Sequence, residues 1–207
     1  MQELKKKIKK FFHFLWYDDS LLSWTLNIII AFILIKYVVY PLLALLFGTA
    51  LPVVAVISQS MYQEGGFDTW WGCTPESCTS EDQGYWYLQQ NITKEQFKTF
   101  SLSRGFAKGD VIVLRNPSNI EQGEVIVFQA QKAYPIIHRV FNIIETEIGE
   151  RIYQTKGDSN TVPIQSFDLD ELEIREEQLI GRAILRIPYL GYPRVWLMNI
   201  LSFLGIA

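Results

Sequence analysis

Three short segments hold residue types that can do chemistry together. Ser58-Gln59-Ser60-Met61 offers two hydroxyls two positions apart. Ile137-His138-Arg139-Val140 carries the one histidine beyond His13. Lys156-Gly157-Asp158-Ser159-Asn160 sets a carboxylate beside a glycine. A serine hydroxyl is a weak nucleophile near neutral pH, so it needs a base within hydrogen-bond reach and donors for the oxyanion. Ser60 fits the nucleophile, His138 the base and Asp158 the acid that orients the base. On an extended segment Ser58 would face the same side as Ser60, where its hydroxyl could donate to the oxyanion beside the Ser60 backbone N–H. Taken singly, each has an ordinary alternative: an exposed strand serine, a structural histidine, a turn carboxylate. The ordered set points to nucleophilic catalysis more specifically than any member.

Elements must bring these segments together. The serine pair follows a long apolar run, Leu26 to Phe47, interrupted by Asn27 and Lys36. As a helix the run would rise about 33 Å, enough to cross a hydrocarbon core. Lys36 is expected to snorkel or to face protein, and Pro41 to kink the helix. Lys5, Lys6, Lys7, Lys9 and Lys10 precede the run and predict a cytoplasmic N-terminus, with everything after about Gly48 outside the cytoplasm. Residues 8–17 mix bulky apolar groups with lysine and read as a short interfacial amphipathic helix. The run exceeds a cleavable signal core, so it is read as an anchor.

The 207 residues suggest one domain plus that anchor, and the net charge of −3 gives no sign of a nucleic-acid partner. The chain divides into a basic, interfacial segment 1–20, a transmembrane helix 21–48, a catalytic β domain 49–194 and an apolar tail 195–207 that docks on the domain or dips into the bilayer. From Gly109 the pattern turns to β: strands are predicted over 110–115, 124–129, 136–144, 151–155 and 180–187, with a hairpin turn at Glu147-Ile148-Gly149-Glu150. The fold class is therefore mainly β, an N-terminal transmembrane helix followed by an antiparallel β domain.

Residues 62–105 form an irregular insertion rich in aromatics. Thr93-Lys94-Glu95-Gln96 reads as a capping box opening one short helix over 94–102. Either the insertion is a stapled loop with its own aromatic cluster, or a lid or membrane-contact loop. Cys73 and Cys78 read as a local disulfide on the exported side. Neither histidine lies near them, so no metal site is expected. Asn91-Ile92-Thr93 fits a glycosylation sequon.

The ordered segments resemble type I signal peptidases. Ser58-Gln59-Ser60-Met61 after a span, Gly109-Asp110-Val111-Ile112-Val113, Ile137-His138-Arg139-Val140 and Lys156-Gly157-Asp158-Ser159-Asn160 match that family's boxes in order. Histidine before Arg139 resembles the archaeal and endoplasmic-reticulum branch, where the bacterial branch carries lysine. The resemblance covers roughly 16–61, 106–160 and 180–193, not the insertion. It implies Ser60, His138 and Asp158 as catalytic residues, Ser58 in the oxyanion hole and Met61 in the substrate pocket, with no cofactor. It implies cleavage of signal-peptide-bearing preproteins at a cell or endoplasmic-reticulum membrane, in contact with the lipid bilayer and the protein-export channel.

Three departures stand out. Gln59 replaces the usual glycine between the serines and would be strained at positive φ. Ser159 replaces an asparagine. The family's second acid, about six positions after the first, falls here on Ile164, leaving Asp168 or Asp170 as possible substitutes through a longer loop. Two alternatives follow: a non-catalytic relative that binds exported chains, and a Ser–Lys enzyme using Lys132 or Lys156.

Overall fold

The computed structural model describes residues 2–72, 79 and 81–203. Cys73 and Cys78, with the disulfide expected of them, lie outside the described residues. The chain forms two compact units, one through Leu46 and one from Phe47 onward.

In the first unit, α1 (Gln2–Tyr17) carries the lysine cluster. Ser20 caps α2 (Leu21–Leu34), accepting the Ser23 N–H at 3.2 Å. The helix continues through a π-turn, Ile35–Val39, into α3 (Tyr40–Phe47). The π-turn lies just ahead of Pro41, which has no N–H and whose ring crowds the carbonyl four residues back. Widening the ladder there lets the Tyr40 N–H reach the Ile35 carbonyl. Leu21–Phe47 is long and apolar enough to cross a membrane, with mean hydropathy 2.5 and none of its most apolar window buried.

The second unit is built on a seven-stranded antiparallel sheet ordered β1-β2-β9-β3-β4-β5-β8. Its strands are β1 (Val53–Ala55), β2 (Val111–Arg115), β3 (Val125–Phe128), β4 (Ile136–Glu145), β5 (Arg151–Lys156), β8 (Ile174–Arg175) and β9 (Leu179–Ile187). A separate hairpin joins β6 (Gln165–Ser166) to β7 (Leu169–Asp170). The β-branched runs seen in the sequence become the central strands: all of Val125–Phe128 is buried. Ile112, Leu114, Val125 and Val127 pack with Val56, Met61 and Phe106 in one cluster. Ile126, Phe128, Val140 and Tyr153 pack in another. The register of β4 on β5 shifts between Val140 and Asn142, a bulge at Phe141.

The described residues of the insertion hold more helix than its sequence suggests. They include α4 (Phe67–Trp71), α5 (Gln83–Gln89) and α6 (Lys94–Thr99). Thr93 caps α6 by accepting the Gln96 N–H at 3.2 Å, as its sequence predicts, whereas the Gln96 side chain reaches Gln122 and leaves the box half made. Trp70, Trp71, Tyr87, Ile92 and Phe97 bury one another, and the bulged Phe141 of β4 joins them. Gly84 permits this packing, since a Cβ there would stand 2.3 Å from the Trp71 indole nitrogen. After β9, Gly191 donates to the Gly109 carbonyl at 2.8 Å, and α7 (Tyr192–Phe203) begins three residues earlier than the expected tail. Val195 is buried while Trp196, Leu197, Ile200 and Phe203 are exposed.

Candidate active site

Ser58 and Ser60 lie beyond the end of β1, Ser60 in a turn closed by the Tyr62 N–H on the Gln59 carbonyl at 2.9 Å. They are not on an extended strand, yet their hydroxyls still meet, 3.1 Å apart. Gln59 is exposed and is not among the positive-φ residues, so the expected strain is absent. Met61 is 1% exposed and sits in the core cluster, where its sulfur accepts the Asp158 N–H at 3.4 Å.

The Gly157–Asn160 turn, at the end of β5, lies directly on this segment. The Ser159 N–H donates to the Ser60 carbonyl at 2.8 Å. The Ser159 hydroxyl donates to the carbonyls of Gln59 (3.0 Å) and Tyr62. Gly157 lies against both the Ser60 backbone and the His138 ring. A Cβ there would stand 2.8 Å from the Ser60 carbonyl oxygen and 2.9 Å from His138 Nε2. Only a glycine leaves that space open.

His138 and Arg139 are adjacent on β4 and leave opposite faces of the strand. His138 is 3% exposed, and its Nδ1 is hydrogen-bonded to the Glu171 carboxylate. Glu171 is fully buried and fully engaged. Its Oε1 also accepts from Thr155 Oγ1 at 3.0 Å, and its Oε2 accepts the Ile164 N–H at 2.7 Å. With its other contacts satisfied, the carboxylate is held on the imidazole and fixes the ring's orientation.

Asp158 occupies a different niche. Arg139 grips it with two bonds, Nε to Oδ1 and Nη2 to Oδ2, each 2.9 Å. Both side chains are wholly buried. Gln63 Nε2 adds a bond to Oδ2 at 3.1 Å, and Tyr87 one to Oδ1 at 3.5 Å. Burial, together with the Asp158 charge, pushes the Tyr87 phenol well above its ordinary pKa, so it remains a donor. The acid that meets His138 in this structure is therefore Glu171, while Asp158 holds Arg139.

Neither expected substitute acid approaches the histidine. Asp168 pairs with Lys132 at 2.6 Å, a hydrogen bond that pulls its pKa down to about 2. Asp170 caps the Leu172 N–H at 3.0 Å. Glu171 was missed for a reason visible in the β6–β7 hairpin. Gln165 pairs with Asp170, so the next pair outward is Ile164 and Glu171, whose backbones are bonded at 2.9 Å. The position expected to carry the acid is apolar, and its neighbour across the hairpin carries it instead. The Asp168–Lys132 pair also takes Lys132 out of the Ser–Lys alternative. Lys156 Nζ points to Gln83 Oε1, the Gly157 carbonyl and the Asn160 carbonyl.

No protein-family model matches the chain. It is 26% identical over 99 residues to a signal peptidase complex catalytic subunit SEC11 of Plasmodium falciparum, across 47% of this chain and 54% of that protein. With SEC11 of Zygosaccharomyces rouxii it shares 29% over 119 residues, 52% of this chain and 71% of the relative. With SEC11C of Homo sapiens it shares 32% over 95 residues, 44% and 50% respectively. The chain is thus similar to catalytic subunits of signal peptidase complexes. It spans about half the length of two of these three relatives.

Proposed function

We propose that this chain is a membrane-anchored serine endopeptidase that removes signal peptides from exported preproteins. The convergence of the Ser60 segment and His138 Nε2 over Gly157 carries the reading. Ser60 is the nucleophile. His138 takes its proton through Nε2 and returns it to the leaving amine. Glu171 on Nδ1 keeps the imidazole turned to Ser60 and stabilises the imidazolium that forms. In the resting site the Ser60 hydroxyl bonds Ser58, and catalysis requires it to pass to His138, since catalytic hydrogen bonds often form only with substrate bound. Ser58 then donates to the oxyanion. Asp158 supports the site indirectly, by holding Arg139 and the turn against the serines.

A substrate's cleavage region would lie extended along the outer edge of the sheet, which terminates in β1 just before the serines. Met61 packs behind the serine segment from inside the core. The Leu21–Phe47 helix is the anchor, with the lysine-rich α1 in the cytoplasm and the β domain on the far side of a cell or endoplasmic-reticulum membrane. The lipid bilayer and the export channel are the expected surroundings. The relatives bear the name of a subunit in a complex, so partner subunits belong to the reading as well.

The test is cleavage of a signal-peptide-bearing precursor by detergent-solubilised protein, with Ser60→Ala and Glu171→Gln beside the wild type. Processing by the wild type alone at full rate supports the proposal. Equal processing by wild type and Ser60→Ala refutes it.

A further inference from the structure

The insertion's aromatic cluster, one of the two expected readings, brings several of its polar atoms onto the Gly157–Asn160 turn. The Trp70 indole N–H of α4 donates to the Asp158 carbonyl at 2.9 Å. Lys156 Nζ donates to the Gly157 carbonyl at 3.0 Å and to the Asn160 carbonyl at 2.7 Å. The lysine is itself held by the insertion. Gln83 Oε1 of α5 accepts from it at 2.8 Å, and the Trp86 and Tyr87 rings lie 5.0 and 4.9 Å from Nζ. Lys156 is fully buried, so few other arrangements are open to it.

The opposite side of the turn faces the serines. The Asp158 N–H reaches the Met61 sulfur, and the Ser159 N–H reaches the Ser60 carbonyl. The turn is therefore gripped by the insertion through its carbonyls and by the nucleophile's segment through its amides. A backbone caught between two sets of partners transmits the position of one to the other.

We propose that the insertion is an internal clamp: Trp70 and Gln83 are positioning residues that, with Lys156 as the pin, hold the Gly157–Asn160 turn where it fixes Ser60 against His138. The inference rests on the proposed peptidase reading for its catalytic consequence, but the mechanical claim stands on the turn alone. Loss of one donor or acceptor frees the turn and displaces the nucleophile without touching the substrate. The effect falls on kcat rather than on KM.

Two conservative variants of the full chain in detergent test it. Trp70→Phe keeps the ring and removes the indole donor, and Gln83→Leu removes the acceptor from a half-buried position. Two quantities are read in each: kcat and KM for precursor cleavage, and hydrogen exchange of the Ser159 amide. The clamp is supported by Ser159 exchange that is about five- to tenfold faster together with a similar fall in kcat at unchanged KM, the scale of one lost hydrogen bond. It is overturned if Ser159 exchanges at the wild-type rate in both variants, or if exchange accelerates while kcat holds. Should one variant fail to fold, the other decides. Should the wild type cleave no precursor, the peptidase reading falls separately, and Ser159 exchange alone upholds or overturns the clamp.

Discussion

His138 and Glu171 stand 33 residues apart in the chain, yet the glutamate's carboxylate is hydrogen-bonded to the imidazole Nδ1 inside the fold. Nothing in the order of the four chemical segments marks that glutamate. It reaches the histidine because a short hairpin lays it across from Ile164. Glu171→Gln is therefore expected to lower kcat by up to about 10⁴-fold, the scale of losing the carboxylate that orients a catalytic histidine, while leaving precursor affinity close to wild type. Asp168→Asn and Asp170→Asn are expected to cleave at the wild-type rate. A comparison of kcat across the three variants checks the assignment, and an Asp168→Asn variant as impaired as Glu171→Gln would contradict it.

Asp158 should behave differently. It neutralises a fully buried Arg139, so Asp158→Asn leaves a guanidinium without its counter-charge, at a cost of about 3–5 kcal/mol. Urea unfolding is expected to show the loss in the folded fraction. Glu171→Gln should lose far more activity per unit of lost stability than Asp158→Asn. The reverse order, with Asp158→Asn fully stable and inactive, would return the orienting role to Asp158.

Gly157 leaves no room for a methyl group. Its Cβ would press on the Ser60 carbonyl, Asn160 Nδ2 and His138 Nε2, each within 3 Å. Gly157→Ala is expected to destabilise the fold by about 1–3 kcal/mol and to cut cleavage sharply, because the atoms that must yield are those of the site. Chemical unfolding and a cleavage assay on the folded fraction measure the two effects. Full activity in Gly157→Ala would mean that serine and histidine do not meet over this residue.

Lys156 gives the domain a pH signature. Burial pulls its pKa down to about 7, with Asp158 and Glu171 favouring the ammonium and Arg139 opposing it. The unfolded lysine titrates near 10.4, so between about pH 7 and 10 the unfolded chain binds more protons than the folded one. Stability is then expected to rise with pH across that window, by up to about 1.4 kcal/mol per pH unit. The destabilising contribution of the lysine is fully present below pH 7. Lys156→Met should flatten the slope, as urea midpoints at pH 7 and pH 9 would record. The same slope in both proteins would place the titration elsewhere.

The β scaffold was legible because its central strands are runs of β-branched residues bounded by turn formers. The 136–144 and 180–187 predictions lie within a residue of Ile136–Glu145 and Leu179–Ile187 at either end. The insertion's helices were not legible beyond the Thr93 cap. Segments as short as Phe67–Trp71 carry no periodicity, and mutual burial of aromatics, not propensity, holds them. The serines and His138 were legible as box residues. Glu171 was not, since a hairpin register, rather than spacing from Asp158, brings it to the site. Gln59 is unstrained because its φ is not positive, so the backbone there does not need a glycine.

The most direct measurement is precursor cleavage by the solubilised full chain, wild type against Ser60→Ala, with folding of both verified. The expected result is processing at the signal-peptide junction by the wild type and none by Ser60→Ala. Wild-type processing that persists in Ser60→Ala, or a folded wild type inert towards every precursor even with partner subunits supplied, would contradict a serine signal peptidase.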